Sequence, residues 1–377
     1  MIAGEASGDI LAAGLIRELK VLFPDAQFEG IGGKHMIAEG FNSMEDINEL
    51  SVMGLVEVLK HLPALLKIKR NVLTHFFNNL PDVFIGIDAP DFNLPIETKL
   101  KQRGVSTVHY VSPTIWAWRE KRIHKIAKAT HLVLGIFPFE AKHYEKYAYP
   151  YRFVGHTMAD EIPMEPDRAA ARDALNIPRE KLVLAILPGS RAREIDTLLD
   201  TFLATAALFG KSQQTRELQV FIPAVNQDRK AQIQEILAVS NVTIEVNITQ
   251  HPAREVMIAS DVVLLASGTA SLECMLCKRP MVVAYLLSFI THKMMQKLYL
   301  PKYFSLPNIL ADEPLVPEFL QEDVNPENLC RHLNAQLNEN NAHVLSRFRA
   351  LHQQLRCDAS KQAALAISEL IKTKADQ

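Results

Sequence analysis

The first group able to do chemistry is a carboxylate that closes an apolar run. Residues 82–87 are mostly apolar and lead into Gly86-Ile87-Asp88-Ala89-Pro90-Asp91-Phe92-Asn93. As a strand of an open α/β sheet, this run sets Asp88 at the carboxyl edge, where such folds bind ligands. A carboxylate in that crevice is suited to proton transfer, whereas Asp91 reads first as a cap for the following helix. Gly4-Glu5-Ala6-Ser7-Gly8-Asp9 precedes an amphipathic stretch at 10–23. Glycines between a strand and a helix let backbone N–H groups approach a ligand at the positive helix end, although a ligand-free tight turn explains the loop equally well. The spacing is not that of a dinucleotide-binding G-x-G-x-x-G loop. In Gly30-Ile31-Gly32-Gly33-Lys34, the next residue is His35, where a phosphate-binding Walker loop needs Ser or Thr. A third group, His109-Tyr110-Val111-Ser112-Pro113-Thr114-Ile115-Trp116-Ala117-Trp118-Arg119, holds both tryptophans. They offer a flat platform to a sugar ring or acyl group, or pack on the core.

Two further loops suit a phosphate. Leu187-Pro188-Gly189-Ser190-Arg191 follows an apolar run and opens a helix. Gly189 and Ser190 can supply backbone and hydroxyl donors, and Arg191 a bidentate fork. Ser267-Gly268-Thr269-Ala270-Ser271-Leu272-Glu273 follows another such run. A diphosphate at this helix start gains from unpaired N–H groups and from the helix dipole, the latter worth roughly 0.3–1 kcal/mol. Glu273, one turn in, can accept from ribose hydroxyls; plain capping by Ser267 or Thr269 is the competing reading. The 13 histidines do not cluster at ligand spacing, and no D-x-D motif follows a strand. No metal and no cofactor are therefore expected.

Residues 52–70 have a different character. Val56, Leu59, Leu62, Leu65 and Leu66 stand among Lys60, Lys67, Lys69 and Arg70. A core helix rarely carries so many cations beside so much Leu and Val, whereas a basic amphipathic helix on an anionic membrane does. Packing in the core or on a partner helix stays open. Pro63 suits the start of a helix better than its interior. Residues 289–299 have a similar mix and could dock beside this segment.

The elements that must position these loops alternate along the whole chain. Strands are expected at 27–31, 82–87, 106–111, 131–135 and 152–154, then at 181–187, 218–222, 242–246, 262–266 and 281–284. Near-continuous apolar strands separated by helices mean parallel sheets covered on both faces, and two such series mean two doubly wound domains. The length of 377 residues agrees. Two prolines, Pro163 and Pro166, mark the connection, and after Pro326 the chain turns helical and polar. Only Met1-Ile2-Ala3 precede Gly4, so the first strand is either very short or begins before these residues; the second reading is preferred. The composition is globular, with 48% hydrophobic and 22% charged residues, and the net charge of −2 argues against a nucleic-acid binder. With no signal peptide and no apolar run of about 20 residues, a cytoplasmic place is expected. Cys274 and Cys277 form a lone C-x-x-C in an apolar stretch, and core packing is its reading.

Taken in chain order, these segments closely resemble the lipid A disaccharide synthase family. The matching stretches are 3–10 (AGEASGDI), 52–59 (VMGLVEVL), 86–93 (GIDAPDFN), 109–119 (HYVSPTIWAWR), 155–160 (GHTMAD), 187–191 (LPGSR), 265–275 (LASGTASLECM) and 305–310 (SLPNIL). The resemblance implies a GT-B fold: two Rossmann-like domains facing a cleft, with C-terminal helices crossing back to the first. The expected division is 1–160 for the acceptor and membrane side, 161–340 for the UDP-sugar, and 341–377 for the returning helices. It implies transfer from UDP-2,3-diacylglucosamine to 2,3-diacylglucosamine 1-phosphate (lipid X), giving a β-1,6-linked disaccharide 1-phosphate and UDP. The anomeric centre inverts, no metal takes part, and the protein is peripheral on the inner face of the cytoplasmic membrane.

Carried onto this chain, the resemblance puts Gly189, Ser190, Arg191, Ser267, Gly268, Thr269, Ala270 and Asn308 around UDP, with Glu273 on its ribose. Asp88 is the preferred base, with Glu5, Asp9 and His109 behind it. Ser7, Gly8, Asp9, Ser112 and Trp116 line the acceptor side. A homodimer is left open. Two other readings remain: an epimerase-like UDP-sugar enzyme of the same fold, and a non-catalytic, membrane-bound nucleotide-binding protein.

Overall fold

The computed structural model describes residues 1–375 except 51–54, 119, 214–215, 241, 289–291, 294, 296–298, 300 and 339–340; the side chains of 55–61, 118 and 375 also lie outside the description. The chain forms two units, Met1–Asp160 together with Leu355–Gln377, and Glu161–Gln354.

In the first unit the strands are β1 (Ile2–Ala3), β2 (Glu29–Gly32), β3 (Asn42–Asp46), β4 (Val83–Ile87), β5 (Ser106–Tyr110), β6 (Leu132–Gly135) and β7 (Tyr151–Phe153). They lie in the order β3-β2-β1-β4-β5-β6-β7, and every pairing is parallel. In the second unit β8 (Leu182–Leu187), β9 (Leu218–Pro223), β10 (Val246–Thr249), β11 (Val262–Ala266), β12 (Met281–Tyr285) and β13 (Glu318–Leu320) lie in the order β10-β9-β8-β11-β12-β13, again all parallel. The central strands are buried along their length, as sheets covered by helices on both faces require. Among the covering helices, Ala192–Ser212 lays Ile195, Leu198, Leu199, Phe202, Ala206 and Phe209 along one stripe against the second sheet. Each of these side chains except the small Ala206 contributes roughly 1.5–3 kcal/mol by leaving water.

Each sheet reverses its winding once, between β1 and β4 in the first unit and between β8 and β11 in the second. Loops leaving adjacent strands on opposite sides open a crevice there. In register, Ala3 lies beside Ile87 and Leu187 beside Leu265. The four loops singled out from the sequence thus pair off, two at each reversal.

Three expectations need correction. The third strand of the second domain, expected at 242–246, runs over Val246–Thr249. Pro63 lies inside the helix Leu55–Asn78 and does not start it. The missing N–H and the ring clash cost about 3 kcal/mol, offset by the buried stripe Ile68, Val72, Leu73 and Phe76 further along. The returning segment begins at Leu355, not at 341. The helix Ala342–Leu355 belongs to the second unit up to Gln354, with Arg349 bonded to Glu165 at 2.6 Å.

The return itself is firmly held. Asp160 accepts the N–H groups of Asp358 and Ala359 at 2.9 and 2.7 Å, and the helix Ala359–Ala375 buries Ala363, Ala364 and Ile367 beside Leu15, Ile16 and Leu19 of the helix Ala6–Leu22. Gly155 has φ +93°, and a Cβ there would come within 2.7 Å of Cys357 Cβ. Cys274 and Cys277 are fully buried, and burial pushes the Cys277 thiol up to about 12. They pack the core, as expected, and are poor nucleophiles.

Candidate active site

At the first reversal the chain leaves β4 through two consecutive left-handed residues, Asp88 (φ +51°) and Ala89 (φ +43°). For L-residues each costs roughly 1–2 kcal/mol. Pro90 then opens the helix Pro90–Lys101 with its φ already set. The turn is pinned by Asp88 N–H donating to Tyr110 O at 2.8 Å and by Asn93 Nδ2 donating to Asp88 O at 2.8 Å. The Asp88 side chain is half-buried at the crevice. The loop after β1 closes against it: a Cβ on Gly4 would stand 2.6 Å from Ala89 Cβ, so only glycine allows the two loops to meet. Glu5 is half-buried, Ser7 is exposed and Gly8 is buried against Ala3 and Ile87. Asp88, Glu5, Ser7 and Gly8 therefore gather where the sequence suggested.

Other candidates point elsewhere. Asp9 is buried and accepts the N–H groups of Gly33, His35 and Met36 at 2.8–3.0 Å. It caps the helix Lys34–Ala38, and its lone pairs are taken. His109 lies within β5; the ring is fully buried, with Nδ1 2.7 Å from Glu97 Oε1. No acceptor hydroxyl reaches it. Ser112 is buried and meets Tyr144 Oη at 2.8 Å, so it faces the interior. Asp91 sits in the first turn of its helix and pairs with Arg122; it is not the cap. Trp116 is half-buried, edge-on to Phe139 at 5.0 Å.

Near Ser112 the interior contains an unforeseen carboxyl. Glu140 is buried, accepts from Phe137 N–H at 3.2 Å and from Tyr151 Oη at 3.3 Å, and burial pushes it from its ordinary 4.5 up to about 8. Between those values the folded chain keeps a proton that the unfolded chain has released. The stability from this group is thus full below about pH 4.5 and falls as pH rises to about 8. Glu140→Gln removes that decline. Its melting temperature should gain on the parent's by more than about 5 °C between pH 5 and pH 8. A difference that stays flat with pH would show that Glu140 is ionised in the folded chain.

In the second unit, Arg191 is the N-cap of the helix Ala192–Ser212, with its side chain exposed and Nη1 3.0 Å from Glu194 Oε1. Glu194 Oε2 also accepts from the N–H groups of Ser190 at 3.1 Å and Arg191 at 3.3 Å. The donors expected to meet a phosphate are therefore occupied by a carboxylate that already behaves as an anion at this helix start. A Cβ on Gly189, at φ +121°, would stand 2.4 Å from Glu194 Oε2. Beside this loop, Gly268 (φ +152°) opens the helix Thr269–Leu276; Gly268 and Thr269 are exposed, and Ser267 and Ala270 half-buried. Glu273 accepts from Arg254 Nε at 3.2 Å, and Arg254 also reaches Glu161. Asn308 is a correction: it is fully buried, bridges Val316 N–H and C=O at 2.9 Å each and donates to Glu318. It fixes the loop before β13 and has nothing left for a nucleotide.

On the helix Leu55–Asn78, Leu62, Leu66, Lys67 and Arg70 are exposed, and Leu65 and Lys69 half-buried. The side chains of Val56 and Leu59 lie outside the described residues, as does most of 289–299. Among the described residues no helix is long and apolar enough to cross a membrane, and no group of three or more His, Cys, Asp or Glu could hold a metal.

Residues 1–367 match the lipid-A-disaccharide synthetase family. A lipid-A-disaccharide synthase of Alteromonas mediterranea is 56% identical over 372 residues, spanning 98% of this chain and 97% of that protein. One from Haemophilus influenzae (strain ATCC 51907) is 51% identical over 380 residues, spanning 99% and 97%. Among solved structures, the calicheamicin glycosyltransferase CalG4 gives a TM-score of 0.63 at 12% identity over 100% of this chain and 97% of that one. The UDP-GlcNAc 2-epimerase of Neisseria meningitidis, bound to UDP-GlcNAc, gives 0.57 at 13% identity over 97% of each. Those structures speak to fold, which is GT-B. Identity above one half along nearly the full length speaks to lineage: this glycosyltransferase chain belongs to the lipid-A-disaccharide synthetase family.

Proposed function

We propose that the protein transfers a 2,3-diacylglucosaminyl group from its UDP donor to the 6-hydroxyl of 2,3-diacylglucosamine 1-phosphate. The observation that carries this is the pairing of candidate loops at both reversals, Gly4–Gly8 with Asp88 and Gly189–Arg191 with Ser267–Glu273, in a chain so close to named synthases. The second unit holds UDP. Arg191 and the helix start at Gly268–Ala270 face the diphosphate, and Glu273, oriented by Arg254, accepts from the ribose. The Ser190 and Arg191 N–H groups hold the Glu194 carboxylate, so the diphosphate is bound by the Arg191 guanidinium and the helix start at Gly268–Ala270. Positive charge at the diphosphate stabilises the leaving group as it gains electrons.

The first unit supplies the base. Asp88 takes the proton of the acceptor 6-hydroxyl, whose oxygen attacks the anomeric carbon opposite the leaving phosphate. The bond to UDP breaks with its electron pair on the phosphate oxygen, and inversion gives the β-linkage. Incubation with both lipids should yield disaccharide 1-phosphate and UDP in equal amounts; UDP release without disaccharide would reject the acceptor assignment. The likeness to epimerases, at 13% identity, carries the fold only.

The exposed Leu62 and Leu66, beside Lys67 and Arg70, support docking on an anionic membrane face. Replacing both leucines with serine should weaken binding to anionic vesicles by at least about tenfold and leave the melting temperature unchanged. A collapsed melting temperature would place these side chains in the core and remove the membrane reading.

A further inference from the structure

The side chains that hold the Asp88 turn lie on its buried side. Asn93 and Glu97 sit one turn apart on the helix Pro90–Lys101, and His109 reaches them from β5; all three are fully buried. They converge beneath Gly86, which is His109's register partner in β4. A Cβ on Gly86 would stand 2.1 Å from Glu97 Oε1 and 2.9 Å from Asn93 Cβ, so the two side chains abut across the space that glycine leaves. Beyond the Glu97–His109 contact, Glu97 Oε2, His109 Nε2 and Asn93 Oδ1 have no hydrogen-bond partner. For stability alone, an apolar trio of similar volume would serve a strand–helix interface better. The polar trio is explained by what Asn93 Nδ2 does: it donates to Asp88 O at 2.8 Å, Ile2 O at 3.3 Å and Ile87 O at 3.4 Å. One amide thus ties β1, the end of β4 and the left-handed turn together.

We propose that Asn93, backed by the Glu97–His109 pair, is the positioning residue for Asp88, fixing the turn from which the carboxylate takes the acceptor proton. This rests on the reading of Asp88 as the base. Glu97 and His109 fill the space into which the Asn93 amide would otherwise swing. Once that amide turns, Asp88 O is released and the carboxylate loses its aim.

The test uses the full chain with Asn93→Ala, Glu97→Ala and Glu97→Gln, each alone and combined with Asp88→Asn. Turnover and KM for both lipids are measured, UDP titration reads the second unit, and circular dichroism with a melting curve counts the molecules whose first unit is folded. Asn93→Ala and Glu97→Ala should each lower kcat by about 10²-fold, the scale of a misplaced catalytic group, with UDP affinity and KM unchanged. Glu97→Gln, which still bonds His109, should retain most of the turnover. In the Asp88→Asn background Asn93→Ala and Glu97→Ala should have little further effect, because there is no base left to aim. Equal losses with and without the Asp88 carboxylate would show that the trio only supports the fold, and the proposal would fall. Glu97→Ala supplies the same comparison if Asn93→Ala does not fold, and loss of the folded first unit in every variant, Glu97→Gln included, would equally reject it. Near-normal turnover of Asp88→Asn alone would instead defeat the reading of Asp88, a result visible without any variant of the trio.

Discussion

Asp88→Asn should lower turnover by roughly 10²–10⁴ while leaving UDP affinity and melting temperature close to the parent's. The amide keeps the size of the carboxylate but takes up no proton at neutral pH. Its backbone must adopt φ +51°, and Asn tolerates the left-handed region at least as well as Asp, so the turn survives. The Asn93 and Tyr110 contacts go to backbone atoms of residue 88 and are not touched by the change. Initial rates with both lipids and a calorimetric UDP titration read the two quantities separately. If turnover persisted, Glu5 would be the next carboxylate to examine, since His109 and Asp9 are sealed in the interior. If UDP affinity were lost instead, Asp88 would be organising the nucleotide site and its role as base would be withdrawn.

Arg191→Ala should reduce kcat/KM by roughly 10- to 150-fold, the equivalent of about 1.5–3 kcal/mol for a charge-assisted contact. The fold should barely notice. The Arg191–Glu194 pair is exposed, and such pairs contribute little; Glu194 would still accept from Ser190 and Arg191 N–H, which survive the substitution. Removing the guanidinium also leaves the Glu194 charge unneutralised beside the diphosphate, which deepens the loss. Arg191→Lys should recover part of it, since an ammonium restores the charge but not the planar fork. Unchanged kinetics in a well-folded Arg191→Ala protein would remove this residue from the site.

The central strands were legible because each is a short apolar run bounded by turn residues. The edges were not. Residues 42–46 read Asn-Ser-Met-Glu-Asp, half-exposed at the rim of the first sheet, and carry no strand pattern; Glu318–Leu320 is three residues at the other sheet's rim. Loops at the reversals could be placed from their glycines and their position after a strand. Which polar groups in them were already occupied could not, because the partners are distant in sequence. Asp9 is taken up by backbone more than 20 residues away, and Asn308 by a loop that returns to it. His109 falls inside the strand expected at 106–111, but the face on which the pleat sets its ring was not legible; the ring points into the interior. The buried glutamates, Glu97 and Glu140, gave no local signal, since each looks like an ordinary polar residue near a helix until the opposing strand is known.

The first unit is interrupted: its chain leaves at Asp160 and resumes only at Leu355. During synthesis this inverts the order of completion. The second unit, one continuous stretch, is synthesised in full while the first still lacks the helix Ala359–Ala375. At 5–20 residues per second that wait is about 10–40 s. Throughout it, Leu15, Ile16 and Leu19 lack the cover that Ala363, Ala364 and Ile367 will give them. The half of the protein that is born first is thus the last to be covered.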